Sequence, residues 1–347
     1  MAINSIQFQK GLSMSEFIVR YGREDQCEAA FIQARWPNGF CCPRCQAQTA
    51  SQFRRGGLLT WQCSRCPHQT SLISGTMMEH SRLPFAKWFL AIYLITQSKT
   101  NIAALTLRRQ LGISWRAAWL LKHKVMEAMR QREATKPLQG DVRIDDAYLG
   151  GELTGGRAGR GSDNKVPFVA ALEVHNGKPM RVRFDPVKNF SFAALKPWAS
   201  IALAPDCTVT SDGLLGFEVV ERLGFAHRVV IAPKGKAGTE IEPFRWLNVV
   251  LGNLKTALSG TYHAFNFRKY ADRYLAESQY RFNRRFDLAA MVPRLAVALT
   301  SATPCSGKKL MVRTEIEAYS GRTLWRRKFS LICLSAPLLV SPVALEE

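Results

Sequence analysis

Two aspartates stand at the end of β-like runs, Asp145 after Val142-Arg143-Ile144 and Asp212 after Thr208-Val209-Thr210-Ser211. Further on, a segment with helical patterning carries Asn248 and Lys255. Two carboxylates and a third oxygen ligand form a donor set for hard divalent cations such as Mg²⁺ or Mn²⁺. Cations held in this way assist phosphoryl transfer, one activating the attacking oxygen and another stabilising the leaving oxygen. Lys255 follows Asn248 by seven residues, two helical turns, so both share one helix face and the ammonium group can meet a phosphate beside the scissile bond. Spacing alone also allows the bland alternative, in which the aspartates are turn residues and Asn248 fills a helix surface.

A second group of side chains suits a different metal. Cys42-Pro-Arg-Cys45 and Cys63-Ser-Arg-Cys66 are two C-x-x-C pairs, separated by a β-like Leu58-Leu59-Thr60-Trp61-Gln62. Four thiolates on two such knuckles serve tetrahedral Zn²⁺ in a structural role. Cys41 is an alternative to Cys42, but the C-P-x-C form favours Cys42. A reduced redox pair would need only one of the motifs. His68 and His80 read as surface residues. The other cysteines, among nine in all, are scattered and form no disulfide framework.

These groups sit in a strongly basic chain. Its 347 residues carry 48 Lys and Arg against 27 Asp and Glu, a formal charge of +21, which favours a polyanionic partner. Between Leu83 and Lys136 the basic residues are Lys87, Lys99, Arg108, Arg109, Arg116, Lys122, Lys124, Arg130, Arg132 and Lys136, against Glu127 and Glu133. Helical patterning over Phe85–Ile95, a helix over Ile102–Leu111, a turn at Gly112-Ile113 and a helix capped by Ser114 read as helix-turn-helix, with Arg116, Lys122 and Lys124 as DNA contacts. An ordinary helical hairpin is the alternative. Trp115 and Trp119 read as core residues. The start of the chain shows no basic-then-apolar leader, and the apolar run Phe329–Leu345 is broken by Pro337 and Pro342, so the expectation is a cytoplasmic protein without a membrane span.

The elements that must position this chemistry follow from periodicity. Gly11–Trp36 reads as a helix ended by Pro37-Asn38-Gly39. Beyond Lys136-Pro137, strands are expected over Val142–Ile144, Pro167–Val174, Met180–Phe184, Thr208–Ser211 and Val229–Ala232. Helices are expected near Phe190–Ile201, Leu214–Leu223 and Pro243–Ser259. This alternation predicts an α/β fold. The insert with Gly150-Gly151, Gly155-Gly156 and Gly159-Arg160-Gly161 matches neither a dinucleotide fingerprint nor a P-loop and reads as a mobile loop.

Several stretches together resemble bacterial insertion-sequence transposases. They are Trp61-Gln-Cys-Ser-Arg-Cys66, Ser81-Arg-Leu-Pro-Phe-Ala-Lys-Trp-Phe89, Ile144-Asp-Asp-Ala-Tyr-Leu-Gly-Gly151, Thr210-Ser-Asp-Gly213, Trp246-Leu-Asn248 with Gly252-Asn-Leu-Lys255, Gly260-Thr-Tyr-His263 and Tyr280-Arg-Phe-Asn-Arg-Arg-Phe286. The resemblance, over about Gly11–Leu295, implies an RNase H-like catalytic domain preceded by a small zinc ribbon and a helix-turn-helix. Residue by residue it makes Asp145 and Asp212 the catalytic carboxylates, Asn248 the third position (Glu in some members, Asn or His in others) and Lys255 the accompanying base. Asp146 stands where many relatives have Glu and reads as a neighbour of the site. Asn283 reads as structural or DNA-contacting. Glu240 and Glu242 are candidates to offset the neutral Asn248.

The implied organisation is a helical segment over 1–36, a zinc ribbon over 37–80, a helix-turn-helix over 81–136 and an RNase H-like transposase domain over 137–299. The tail, 300–347, is unrecognised and reads as a poorly ordered extension. The implied function is a DNA transposase that binds double-stranded terminal inverted repeats and, with Mg²⁺ or Mn²⁺, cleaves strands and transfers them into target DNA. A homo-oligomer is expected because two ends must be brought together. The alternatives are a non-catalytic DNA-binding protein derived from a decayed element and a structure-selective nuclease of the same fold.

Overall fold

The computed structural model describes residues 10–151, 162, 164–231, 242–262, 265–311 and the backbone of 332–333. The second and third glycine groups of the insert, Glu240 and most of the tail lie outside the described residues. The chain divides into two compact units, one holding the described residues up to Arg132 together with Arg284–Met311, the other holding Glu133–Asn283.

In the first unit, the helix expected over Gly11–Trp36 is two helices, α1 (Met14–Tyr21) and α2 (Glu24–Arg35). Ser13 caps α1 reciprocally: its hydroxyl accepts from the Glu16 N–H, and the Glu16 carboxylate accepts from the Ser13 N–H. The break has a local cause. Arg23 is extended (φ −114°, ψ 153°) and donates its N–H to the Gln26 side chain, so α2 starts afresh. Next come β1 (Ala50–Arg55), β2 (Leu58–Cys63) and β3 (Gln69–Ser71), an antiparallel sheet in that order.

Helix α3 (Phe85–Gln97) buries Trp88, Phe89, Ile92 and Ile95, the apolar stripe expected from sequence. Helices α4 (Ala104–Leu111) and α5 (Trp115–Ala134) follow. Gly112 ends α4 in the left-handed region (φ 61°, ψ 42°), a conformation that costs glycine little. Ser114 then starts α5 by accepting from the Ala117 N–H at 3.2 Å. A later helix, Met291–Ser301, packs on α2 and α3.

The second unit is built on a mixed sheet. Its strands are β4 (Asp141–Leu149), β5 (Val166–His175), β6 (Lys178–Pro186), β7 (Thr208–Ser211) and β8 (Ala226–Val229), in the order β6-β5-β4-β7-β8. The pairs β4–β5 and β5–β6 are antiparallel, and β4–β7 and β7–β8 are parallel. A two-residue strand, Ile332–Cys333, also pairs with Ala147-Tyr148. Helix α6 (Phe192–Ala202) buries Leu195, Trp198 and Ala199 in one core with Val142, Ile144, Val169 and Val209. A 3-10 turn over Leu215–Glu218 leads into α7 (Val219–Arg222). Helices α8 (Arg245–Thr261) and α9 (Phe267–Phe282) complete the unit.

Two strands differ from the sequence expectation. β4 runs five residues past Ile144, because β5 pairs with it as far as Leu149. β8 ends where the expected strand begins: the apolar run Val229-Val230-Ile231 misled, since Val229 and Ile231 are exposed.

The outer edge of β6 is closed by amide side chains. Asn283 accepts from the Val182 N–H at 2.7 Å and donates to the Val182 carbonyl at 3.0 Å. One turn earlier, Gln279 accepts from the Phe184 N–H at 3.1 Å. Asn283 also donates to Glu133 at 2.7 Å. Asn283 thus takes the structural role of the two left open by its sequence motif, standing in for a missing neighbouring strand. Removing its side chain leaves backbone groups of β6 unpaired, so Asn283→Ala is expected to destabilise the second unit by about 1–3 kcal/mol. Urea unfolding checks this, and an unchanged midpoint counts against it.

Candidate functional site

The carboxylates meet because of strand register. The parallel pairing of β4 and β7 runs from Asp141 with Thr208 to Ile144 with Ser211. One residue further on both strands come Asp145 and Asp212. Side chains at matched positions of neighbouring strands point to the same face. Oxygens of Asp145, Asp146 and Asp212 lie within 4.8 Å of one another. Asp145 and Asp146 are buried, 2 % and 1 % exposed, on the central strand, so Asp145 does not close its strand as the sequence suggested. Asp146, read from sequence as a bystander, offers an oxygen within the same distance.

Local bonds hold these residues. The Asp146 N–H donates to Asp145 Oδ1 at 2.8 Å, and the Leu214 N–H donates to Asp212 Oδ1 at 3.2 Å. The latter closes a turn over Gly213, whose φ of 88° lies in the left-handed region and whose added Cβ would sit 3.2 Å from Val229. Behind Asp212, Ser211 Oγ lies 2.9 Å from His227 Nε2, whose imidazole is held below its ordinary pKa by burial. This buried contact ties β7 to β8. Nothing in the spacing of the two residues announces it.

Which helix covers Asp145 follows from alternation along β4. Val142 and Ile144 point into the α6 core, so Arg143 and Asp145 point to the opposite face. Arg143 donates there to the Pro243 carbonyl at 2.7 Å and to Glu242 at 2.8 Å, just ahead of α8. Helix α8 packs on β4 and β5 through a buried stripe that includes Leu247, Leu251, Leu254 and Leu258. Asn248 and Lys255 flank that stripe, both half-buried. Glu242, weighed from sequence as a substitute ligand, is engaged with Arg143 instead.

The ribbon thiols converge as well. The Sγ atoms of Cys42, Cys45, Cys63 and Cys66 all lie within 4.8 Å of one another, with Cys42–Cys66 at 3.6 Å and Cys45–Cys63 at 3.5 Å. Tetrahedral Zn²⁺ with Zn–S of about 2.3 Å sets neighbouring sulfurs at roughly 3.8 Å, so the donor set fits. Each knuckle is closed by backbone bonds, Gln46 N–H to the Cys42 carbonyl and Cys63 N–H to the His68 carbonyl. The backbone N–H of Cys66, and less strongly that of Arg65, hold the Cys63 thiol down at about 6 against the opposing effect of burial. Cys41 turns instead to Gln46, and His80 is exposed.

Three of the expected DNA contacts fall in different surroundings. Arg116 is exposed at the start of α5. Lys122 and Lys124 are not on the surface: they are 1 % and 6 % exposed, donating to the Ile102 carbonyl at 2.6 Å and the Glu79 carbonyl at 2.8 Å. Burial also lowers the Lys124 pKa. The reading of these two lysines as phosphate contacts is therefore corrected, because their ammonium groups satisfy buried backbone acceptors. Trp115, expected in the core, is 55 % exposed. Trp119 is half-buried and packs against His123 with centroids 4.0 Å apart and ring planes tilted by 32°.

Residues 137–283 match the ISXO2-like transposase domain, and residues 22–69 match the transposase zinc-ribbon domain. The resemblance to insertion-sequence transposases is borne out. A relative described as an uncharacterized protein in transposable element ISH50, from Halobacterium salinarum, is 33 % identical over 127 residues. That match covers 35 % of this chain and 41 % of the relative, so the chain spans less than half of the relative's length. Both aspartate strands, α8 and α9 fall inside the first match, and both C-x-x-C pairs inside the second. No helix among the described residues is long and apolar enough to cross a membrane.

Two outcomes follow. Cys63→Ser is expected to abolish tight Zn²⁺ retention and to unfold the ribbon, since thiolate ligation and folding are coupled; metal analysis and protease sensitivity of 37–80 report it. Lys122→Ala is expected to destabilise the first unit by about 1–3 kcal/mol by orphaning the Ile102 carbonyl, read as a lowered melting transition.

Proposed function

We propose that this protein is a DNA transposase that binds the terminal inverted repeats of its element, cleaves strands there and joins them to target DNA. The observation that carries the reading is the register-matched pair Asp145 and Asp212, their oxygens within 4.8 Å, inside the segment that matches a transposase domain. Numbered within the second unit, the strands run 3-2-1-4-5 with only the second antiparallel to its neighbours. We take this as an RNase H-like arrangement, with one carboxylate on the central strand and the other on the strand parallel to it.

Asp145 and Asp212 are assigned as ligands of Mg²⁺ or Mn²⁺, and Asn248 as a neutral third ligand acting through its amide oxygen. When bound, the cations supply Lewis-acid activation of the attacking oxygen and charge neutralisation at the leaving one. Asp145 is fixed by the sheet, which pre-sets its carboxylate. Asp212 is fixed by its turn bond to Leu214. Lys255 holds the scissile phosphate from α8. Zn²⁺ on Cys42, Cys45, Cys63 and Cys66 shapes the ribbon, and α4 with α5 forms a helix-turn-helix whose exposed Arg116 contacts double-stranded DNA. Two element ends require at least two protomers, so the assembly that cuts is a homo-oligomer.

The test is end cleavage on duplexes carrying the sequences that flank the element, titrated with Mg²⁺ and Mn²⁺. Asp145→Asn and Asp212→Asn are expected to lose cleavage by several orders of magnitude and keep DNA binding. Asn248→Ala should raise the cation concentration needed, Asn248→Glu should lower it, and Lys255→Ala should slow cleavage at unchanged cation dependence. An Asp145→Asn variant that cuts like the parent rejects the site, and a parent that binds the ends but never cuts favours the decayed-element alternative.

A further inference from the structure

Resting on the helix-turn-helix reading, we propose that Trp115 and Arg116 are the base-reading residues of this protein, with Arg108 and Arg109 at the end of α4 anchoring phosphates. Helix α5 offers a DNA groove very little surface. Every residue from Leu121 to Met129 is buried, so the exposed surface of α5 is confined to its two ends, and the end that follows the turn after α4 opens with Trp115 and Arg116. In helix-turn-helix proteins that first turn of the second helix is the part that reaches base edges. Trp115 is more than half exposed here, although an indole of this size is highly buried on average.

The charge around it selects the partner. No acidic residue occurs from Ala104 to Trp119, and Arg108, Arg109 and Arg116 are all exposed. An exposed aromatic in a segment whose only charged residues are exposed arginines fits a polyanion whose interior edges are partly apolar, which describes the major groove of a duplex. The groove, about 12 Å wide, presents thymine methyl groups for apolar contact and guanine N7 and O6 for the fork of an arginine. Trp115 supplies the first contact and Arg116 the second. Arg108 and Arg109 close the last turn of α4, before the left-handed Gly112, where they meet phosphate rather than bases. One helical turn behind Trp115, Trp119 packs against buried His123 with the ring planes tilted by 32°.

The experiment uses the full-length zinc-loaded protein and selection from a randomised duplex library, followed by binding measurements on the selected duplex and on a scrambled duplex of equal composition. Trp115→Ala is expected to reduce the preference for the selected duplex by roughly 5- to 150-fold, the range for loss of one specific base contact. Its affinity for the scrambled duplex, its zinc content and its melting temperature should stay at parental values. Arg108→Ala with Arg109→Ala should weaken binding to both duplexes alike and lower the salt slope by about two. An unchanged preference in Trp115→Ala, or equal weakening on both duplexes, overturns the assignment of Trp115 while leaving the helix-turn-helix reading in place. Loss of self-association in sedimentation with preference intact also overturns it, and marks the patch as a protein interface. A parent protein that shows no salt-dependent duplex binding overturns the helix-turn-helix reading and this assignment together.

Discussion

The candidate site depends on one constraint, the register of β4 against β7. A slip of one residue in either strand would turn every side chain of that strand to the other face and separate Asp212 from Asp145. Apolar burial holds the register. Val142, Ile144 and Val209 enter the same core with α6, and a slipped β7 would put Thr210 there instead. Backbone bonds fix the entry to the pair: Thr208 donates to the Gly140 carbonyl, Leu138 to Ala202, and Ala204 to Leu138. The carboxylates are therefore brought together by the hydrophobic side of the sheet, against their own repulsion. Two unit negative charges within 4.8 Å of one another would repel by at least roughly 3 kcal/mol at an effective dielectric of 20. A divalent cation is the natural relief for a pair so placed.

Much of this was legible in the sequence because strands buried on one face and amphipathic helices write their period into the chain. Thr208–Ser211 was placed to the residue, and α6, α8 and the zinc knuckles to within a few residues. Misplacements arose where the pattern reflects exposure or tertiary context. Val229 and Ile231 have strand-like side chains yet face solvent. β4 continues through two aspartates, residues that normally argue against a strand, because β5 pairs with all nine of its residues. Asp146 could not be drawn into the carboxylate group from spacing, since adjacent strand residues are expected on opposite faces.

The basic surplus was harder to read, because sequence counts charges without saying where they point. Of the cations between Leu83 and Lys136, Lys87 donates to the Leu111 carbonyl at the end of α4, and Lys122 and Lys124 donate to carbonyls from within the fold. These three work as local structural donors, satisfying acceptors that would otherwise be orphaned. Arg130 is bidentate to Glu127 on its own helix. The cations left exposed in this segment are Lys99, Arg108, Arg109, Arg116 and Arg132, three of them beside the α4–α5 turn. A helix wheel could not have separated Lys122 from Arg116, because the middle of α5, Leu121–Met129, is buried all round rather than along one face.

The neutral third position bears on how the site holds charge. Here the residue on α8 is Asn248, whereas a third anionic oxygen, that of Asp146, lies on β4 within 4.8 Å of the other two. The negative charge is thus concentrated on β4 and on the residue that follows β7. On the proposed reading the aspartates supply the anionic charge that holds the cations, while α8 supplies a neutral ligand, Asn248, and a phosphate contact, Lys255. Because both residues ride on that one helix, changes in its packing through Leu247 or Leu254 should act on cation affinity and on substrate placement together.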